Sequence, residues 1–412
     1  MARRDILIYR VQSEGIGKLL NCLALARSLS RQFHPVVLNN GALPPGIDVP
    51  DGVDVVQLPA WEHAPGTGVS SIWNVQEHRR ALAKRSDFLQ QIYADLKPEM
   101  LLVDTYPFGD KSAGYELLPL LEKIRNSSGP SPRVVACVQD IQIGTGSNSQ
   151  TRDDETARIL DLYFDMLLVH SDPSFALLEE YFQPKNALST PVYHTGFLLP
   201  GQNSLYASGT RENRLLVSAG GGVTGGPLFQ AAIEAHRFLW DAEQLPMTIV
   251  TGPLSSRKKW SELRRLGRKM PGVTIKHSVP NLGAEMSKVR YSVSQCGYNT
   301  ATEAVASGVS ALFVPSSGRR HAEQAERAHR LAHWGVGRLL VQEHLNAVSF
   351  ANEISQLVRF APRETSFSTA GLANTMTLLD RAYVGGMDHD QPLRPQSRYS
   401  SGNPCANVSG DR

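Results

Sequence analysis

Short apolar runs rich in β-branched residues alternate along the chain with longer segments of helical periodicity. This alternation is typical of βαβ units, whose parallel sheet is buried between helices on both faces. In the first half, strands are predicted at residues 6–9, 36–38, 53–58, 101–104, 134–138, 166–169 and 192–195. Residues 1–197 are therefore predicted to form one doubly wound α/β domain.

The second half repeats the pattern after a segment of linker composition. Residues 198–213 contain Pro200, Gly201, Gly209 and several serines and asparagines, which favour a loop. Further strands are predicted at residues 215–217, 248–250, 273–276, 291–294, 311–314 and 339–341, with helices near 226–240, 300–307, 322–334 and 349–360. Residues 214–385 are thus predicted to form a second Rossmann-like domain. Residues 386–412 are too polar to bury a core and are predicted to be a disordered tail.

Length and charge narrow the functional classes. A chain of 412 residues with a net charge of +3 fits a two-domain globular protein that does not bind nucleic acid. The one local concentration of cations, at residues 257–269, is interpreted as a solvated helix face, with contact to an anionic surface as the alternative. The four cysteines lie far apart and indicate neither a zinc site nor a disulfide framework. The first apolar run is too short for a signal segment, so a cytoplasmic location is predicted.

Two predicted strands end in glycine-rich turns, where the backbone can approach a phosphate closely. For the first of these turns, a tight strand-to-helix connection without a ligand is as good an explanation as phosphate binding. At the second turn, five glycines within residues 220–226 favour anion binding. The first turn contains Gly15, Gly17 and Lys18, and the second contains Gly220, Gly221, Gly222 and Thr224.

A third strand-to-helix turn, residues 294–303, carries polar side chains. Its candidate ligand-binding residues are Gly297, Asn299, Thr300 and Glu303. Asn299 or Thr300 could merely cap the helix, whereas Glu303 could accept hydrogen bonds from a ribose. Glu323 and Gln324 stand at the start of a later predicted helix, where Glu323 could also be only a cap. Because ligands of doubly wound sheets bind at the carboxyl ends of strands, these turns predict one shared site.

These segments together resemble the donor half of the MurG-like glycosyltransferases, which have the GT-B fold of two Rossmann-like domains facing across a cleft. The resemblance rests on residues 220–222, 295–300, 308–315 and 323–324, which keep the family's order. It implies a nucleotide-sugar donor, often UDP-linked, whose diphosphate meets the loop at residues 220–222 and whose ribose meets Glu303. It also implies that Glu323 and Gln324 meet the sugar hydroxyls and that backbone near Ser278 and Val279 meets the base.

The same resemblance implies transfer to an acceptor hydroxyl with inversion, without a cofactor or an obligatory metal. Family members often carry a histidine after the second glycine of the first loop and an arginine three residues later, where this chain has Lys18 and Asn21. A lysine of ordinary pKa is a poor proton acceptor, so Lys18 is interpreted as a cation beside phosphate or an anionic acceptor. Asp104 is the first candidate for the catalytic base and Glu116 the second; each is otherwise a cap or a surface carboxylate.

Other functions stay open at this point. A nucleotide-sugar hydrolase or epimerase of related fold would share the glycine loop and a similar Glu-Gln segment, and a noncatalytic nucleotide-sugar-binding subunit would tolerate Lys18 and Asn21. The acceptor is unknown and could be lipid-linked or a small metabolite. Apolar and aromatic residues from Trp61 to Trp73 could dock a lipid, contact the inner membrane face peripherally or join the core.

Overall fold

The protein is described by a computed structural model covering residues 4–384. The segments outside the described residues are 1–3, 11–14, 41–42, 45, 60–74, 110, 143–148, 202–209, 319–320 and 385–412. Half of the predicted linker, the aromatic segment at residues 61–73 and the predicted tail therefore lie outside the described residues.

The first domain contains, within the described residues, a seven-stranded parallel sheet in the order β3-β2-β1-β4-β5-β6-β7. The strands are β1 (Arg4–Arg10), β2 (Phe33–Asn39), β3 (Asp54–Gln57), β4 (Met100–Asp104), β5 (Arg133–Gln139), β6 (Met166–His170) and β7 (Val192–His194). The helices are α1 (Gly17–Leu29), α2 (Val75–Leu96), α3 (Gly114–Arg125) and α4 (Ser149–Tyr163). Every strand predicted for this half overlaps an observed one.

The second domain is built in the same way around a six-stranded parallel sheet of described residues, in the order β10-β9-β8-β11-β12-β13. Its strands are β8 (Glu212–Ser218), β9 (Met247–Val250), β10 (Val273–Lys276), β11 (Val289–Ser294), β12 (Ser310–Phe313) and β13 (Gly337–Leu339). The helices that follow β8 are α5 (Gly226–Glu243), α6 (Arg257–Gly267), α7 (Leu282–Lys288), α8 (Tyr298–Ser307), α9 (Ala322–His333), α10 (Ala347–Leu357) and α11 (Gly371–Val384). The basic cluster at residues 257–269 lies mainly on α6.

The strands are buried on both faces, as their near-continuous apolar composition requires. In β1, Leu7 and Tyr9 pack into one core cluster with α3, whereas Ile6 and Ile8 pack into another with α1. Successive side chains of a strand point to opposite faces, so four consecutive apolar residues supply two cores. A further apolar cluster joins the domains, because Phe175 and Phe197 of the first pack with residues of α8 and α9.

The chain passes between the two domains twice, near residue 197 and near residue 370, and these two segments lie side by side. Phe197 N donates to Ser368 O over 2.7 Å, and Gly371 N donates back to Phe197 O over 3.1 Å. Gly196 has a φ of 85°, and a Cβ there would lie 2.6 Å from Ser368 Oγ, so glycine is required at this crossing.

The C-terminal helix α11 corrects the predicted domain boundary. Residues up to 385 were predicted to belong to the second domain, but Leu378, Leu379 and Ala382 are buried with Ile6 and Leu29 of the first domain. The chain crosses back to the first domain before α11, and the apolar face of this helix is buried against α1.

Candidate active site

The cleft between the domains lies where the strand order of each sheet reverses. In the first sheet the neighbours at this point are β1 and β4, and in the second they are β8 and β11. Loops that leave the carboxyl ends of such strands diverge and open a crevice. The cleft has a volume of about 1950 Å³ and is lined by residues of both domains.

The two glycine turns face each other across this cleft. A Cβ added to Gly221 would lie 3.5 Å from Gly15 Cα and from Ile16 N. Gly222 has a φ of 91°, and a Cβ there would meet Thr251 O at 2.1 Å, so this position requires glycine. The predicted glycine turns are thus parts of one site, although they stand about 200 residues apart in the chain.

Helices α1, α8 and α9 begin at the cleft, and the glycine turn that leads into α5 lines it. Unpaired backbone N–H groups and the helix dipole make such N-termini favourable for anions. The first turns of α1, α5 and α8 contain no acidic residue that would offset this positive potential. The cleft is therefore suited to a diphosphate held by backbone donors.

Asn299 connects the two domains rather than capping its own helix. The cap of α8 is Gly297, without a side-chain hydrogen bond, and Asn299 Nδ2 donates to Gly17 O over 3.0 Å. The capping interpretation of Asn299 and Thr300 is therefore wrong. Gly297 has open space around its Cβ position, on the cleft side of the loop.

Glu303 lies on α8 in the donor half of the cleft and is 8% exposed. Burial raises its pKa to about 8. Among the described residues, no hydrogen bond or ion pair to its carboxyl group is found. A buried carboxyl group without a partner, at the wall of a cleft, is typical of a ligand-binding position.

The remaining predicted donor residues also line the cleft: Thr224, Ser278, Val279, Thr300, Glu323 and Gln324. Thr224 Oγ1 donates to Gln295 Oε1 over 3.0 Å, which ties the second glycine turn to the third. Gln324 Oε1 accepts from Ser316 N over 3.2 Å, which orients its amide group. Glu323 does not cap α9, since the cap is His321 and has no side-chain hydrogen bond.

One candidate, Ser294, was missed by sequence reasoning. Ser294 ends β11 and pairs in register with Ser218, which ends β8. Both side chains are 1% exposed, and neither Oγ has a hydrogen-bond partner within the described residues. Their common position at the carboxyl ends of neighbouring strands is the signal that could have identified the pair, since Ser218 lines the cleft.

In the first domain, Asp104 ends β4 directly behind the cleft wall formed by Thr105 and Lys18. Its Oδ1 accepts from Thr105 Oγ1 over 3.1 Å, and Cys22 Sγ lies 3.9 Å from its Oδ2. Burial raises the pKa of Asp104, and the Lys18 ammonium opposes this shift. Thr105 has a φ of 73°, which a β-branched residue rarely adopts, and such strain is concentrated at functional sites.

Glu116 also reaches the cleft, but its carboxylate belongs to a buried network. Tyr9 OH donates to its Oε1 over 2.6 Å, and Arg85 Nε donates to its Oε2 over 2.9 Å. Glu116 lines the cleft, but both of its oxygens are paired with buried donors; Asp104 lies behind the lining residues, with the Thr105 hydroxyl and the Cys22 thiol beside its carboxyl group. Sequence alone could not show these partners, which lie on other elements.

Neither a metal cluster nor a membrane-spanning helix is found in the part of the chain that the structure describes. No group of three or more His, Cys, Asp or Glu side chains there could hold a metal ion. Likewise, no helix among these residues is both long and apolar enough to cross a membrane.

Residues 216–380 match the family model of the glycosyltransferase family 28 C-terminal domain. The second domain is thus similar to the C-terminal domain of family 28 glycosyltransferases. The match begins in β8 and ends within α11, so it contains every predicted donor-site residue. No curated protein matches the chain by sequence.

Solved structures with a similar fold cover nearly the whole chain. The calicheamicin glycosyltransferase CalG4 is 17% identical, with a TM-score of 0.61 over 94% of this chain and 100% of that one. MurG of Acinetobacter baumannii is 15% identical, with a TM-score of 0.57 over 92% and 99%. A proposed UDP-N-acetylglucosamine 2-epimerase of Listeria monocytogenes is 12% identical, with a TM-score of 0.58 over 96% and 100%. The predicted GT-B fold is confirmed, and with the family match it supports a MurG-like glycosyltransferase.

Proposed function

We propose that the protein transfers a sugar from a nucleoside diphosphate sugar, preferably UDP-linked, to an acceptor hydroxyl with inversion at the anomeric carbon. The acceptor oxygen forms a bond to the anomeric carbon while the bond from that carbon to the diphosphate breaks. The acceptor proton passes to a base of the first domain. The observation that carries the proposal is the meeting of glycine turns and helix N-termini from both domains in one cleft.

The donor half supports binding of each part of such a ligand. The diphosphate would lie against residues 220–222 and the start of α8, where backbone donors and helix dipoles stabilise the charge that develops on the leaving group. Ser218 and Ser294 offer hydroxyl groups without protein partners at the same place. Glu303 would accept the ribose hydroxyls, and Glu323 with Gln324 would bind the sugar.

Asp104 is the proposed base. Burial raises the pKa of Asp104 above that of an ordinary aspartate. Its carboxylate therefore accepts a proton more readily near neutral pH. Lys18, which directly follows Gly17 and lines the cleft, opposes the rise in the pKa of Asp104 and adds a cation to the cleft. Inversion follows if acceptor and leaving group lie on opposite faces of the sugar.

We further propose that the reaction needs no metal ion. In metal-dependent transfer, a divalent cation neutralises the diphosphate; here the N-termini of α1, α5 and α8, without acidic residues in their first turns, and Lys18 supply positive potential. Excess EDTA in the transfer assay should leave the rate unchanged, and loss of activity that Mg²⁺ or Mn²⁺ restores would contradict this part of the proposal.

The acceptor half is lined by apolar side chains, such as Leu20, Leu23 and Ile47, and by charged side chains of both signs, such as Arg27 and Asp48. The apolar part of this lining fits an amphipathic acceptor, and Arg27 could pair with an anionic group on it. Lipid-linked acceptors and small anionic metabolites share this chemistry. A lipid-linked acceptor would also imply peripheral contact with the inner membrane face.

The deciding experiment incubates the purified protein with radiolabelled UDP-, GDP- and dTDP-sugars, with and without a cell extract as the source of acceptor. Transfer of label to an extract component, with release of nucleoside diphosphate, is the expected result. The coupling constant of the anomeric proton in the product tests inversion. Free sugar or an epimer formed without extract would instead establish a hydrolase or an epimerase, the function named for the Listeria protein. Tight nucleotide binding without turnover would favour a noncatalytic subunit.

A further inference from the structure

A buried ion pair joins the two domains behind the cleft. Arg327 lies in the middle of α9, and its Nε and Nη2 donate to Asp140 Oδ2 and Oδ1, each over 2.7 Å. Asp140 directly follows β5 of the first domain, and the two side chains are 2% and 0% exposed. The pairing is bidentate, which fixes the relative orientation of its partners more closely than a single hydrogen bond.

The same guanidinium group also holds the donor loop. Arg327 Nη1 donates to Cys296 O over 2.7 Å, one residue before Gly297. Glu323 and Gln324 lie about one turn before Arg327 on the same helix. Arg327 therefore connects an acceptor-domain loop, the loop that begins α8 and the helix that carries the proposed sugar-binding side chains.

Tyr298 makes a second connection beside it. The Tyr298 hydroxyl donates to His170 O and accepts from Leu198 N, each over 2.8 Å, so it contacts both β6 and the chain crossing. The Arg327 guanidinium lies 5.9 Å from the centre of the Tyr298 ring. The two side chains thus tie the start of α8 to the first domain from two directions.

A buried ion pair is a weak source of stability, because the loss of hydration offsets most of the attraction, and apolar replacements of similar volume are often tolerated. What such a pair does supply is a defined geometry, since neither charge can be buried without the other. A role in orientation therefore explains the Arg327–Asp140 pair better than a role in stability.

We propose that Arg327 and Asp140 form an interdomain lock that positions residues 297–300 and the Glu323–Gln324 pair over the base in the first domain. Both are positioning residues, and they act mainly on the rate of transfer, because the proposed contacts to the base, ribose and sugar lie in the second domain and only Lys18 and the N-terminus of α1 in the first domain face the diphosphate. This inference rests on the proposed glycosyl transfer for its kinetic readout. Reacting groups misplaced by about 1 Å can lose a hundredfold in rate.

The test uses the double variant Arg327→Met/Asp140→Leu, which removes both charges and leaves no unpaired ion in the core. Arg338→Met is the matched control, because Arg338 forms an ion pair with Glu353 over 2.9 Å within the second domain. Thermal unfolding first establishes that each variant is folded. The UDP dissociation constant, kcat for transfer and the radius of gyration from solution X-ray scattering are then measured with and without UDP.

We expect the double variant to bind UDP within about threefold of the wild type, to lose at least about tenfold in kcat and to scatter as a molecule with more widely spaced domains. The control should match the wild type in all three measurements. A folded double variant with wild-type kcat would overturn the lock, and so would a loss of UDP affinity as large as the loss of rate. If the wild type transfers no sugar, the proposed function fails, but scattering still decides the lock: unchanged domain spacing in the double variant would refute it.

Discussion

Replacing Glu303 by glutamine separates its effect on stability from its effect on the ligand. In the free protein, burial raises the pKa of Glu303 from 4.5 to about 8. The folded state therefore favours the neutral carboxyl group, whereas the unfolded chain ionises at the lower pKa. Stability contributed by this group is fully present below about pH 4.5 and is lost as the pH rises to about 8.

The size of the effect follows from the two pKa values. With about 1.4 kcal/mol for each tenfold change in the protonation equilibrium, ionisation of Glu303 would cost the folded state up to about 5 kcal/mol above pH 8. Relaxation and water entry on ionisation reduce this cost, so a few kcal/mol is the expected difference. Glutamine does not titrate, and the Glu303→Gln variant should lack this loss.

The assay is thermal unfolding of wild type and Glu303→Gln between about pH 5 and pH 9, in the absence of ligand. The curves should nearly coincide at the acid end, and the variant should be the more stable protein at the alkaline end. Glu243→Gln, at the exposed end of α5, is the control and should follow the wild type. Parallel pH dependence of wild type and Glu303→Gln would refute the reasoning.

UDP binding should favour the wild type, although Glu303→Gln is expected to be the more stable protein at alkaline pH. A ribose diol that donates to the Glu303 carboxylate contributes about 1.5–3 kcal/mol, so Glu303→Gln should bind UDP about ten- to a hundredfold more weakly. The wild type should prefer UDP over 2′-deoxy-UDP, and the variant should lose most of that preference. Equal discrimination by both proteins would remove Glu303 from the ribose site.

Four further predictions concern the rest of the cleft. Asp104→Asn should lower kcat about a hundredfold or more while UDP binding, measured by calorimetry, stays unchanged; a normal rate would exclude Asp104 as the base. Lys18→Met should raise the pKa of Asp104 further, because the Lys18 ammonium lowers that pKa. The acid limb of the kcat/KM profile should therefore move to higher pH, and an unmoved limb would show that Lys18 does not affect the catalytic base. Gly297→Ala should fold normally, since its φ is −63° and its Cβ position is open, but the methyl group should obstruct donor binding. Gly222→Ala, whose Cβ would meet Thr251 O, should instead destabilise the protein, as a melting curve would show.

Much of the architecture could be predicted from local pattern. Apolar runs such as residues 6–9 are buried on both faces, so their composition alone predicts parallel strands covered by helices. Glycine turns after β1 and β8 mark the carboxyl ends of these strands, and chain topology then requires that they lie at the two switch points. For this reason the sequence could place the candidate donor residues, Glu303 among them, at one cleft.

Pairings between distant segments could not be predicted in this way. The sequence around Glu116 contains no sign of Tyr9 and Arg85, and nothing near Arg327 indicates Asp140. Such contacts depend on how the two sheets and their loops pack, not on local periodicity. The same holds for α11, whose helical pattern does not reveal that it is buried against the first domain.

The sequence by itself therefore determined two doubly wound domains and the glycine turns that line the cleft between them, because strand burial and glycine turns are local properties of the chain. Tertiary structure decided that Glu116 is paired with Tyr9 and Arg85, that Asn299 bridges to Gly17, and that Arg327 joins the domains. These depend on the burial and pairing of charges over long sequence separations, and the cost of an unpaired buried charge is known only once the fold has placed its neighbours.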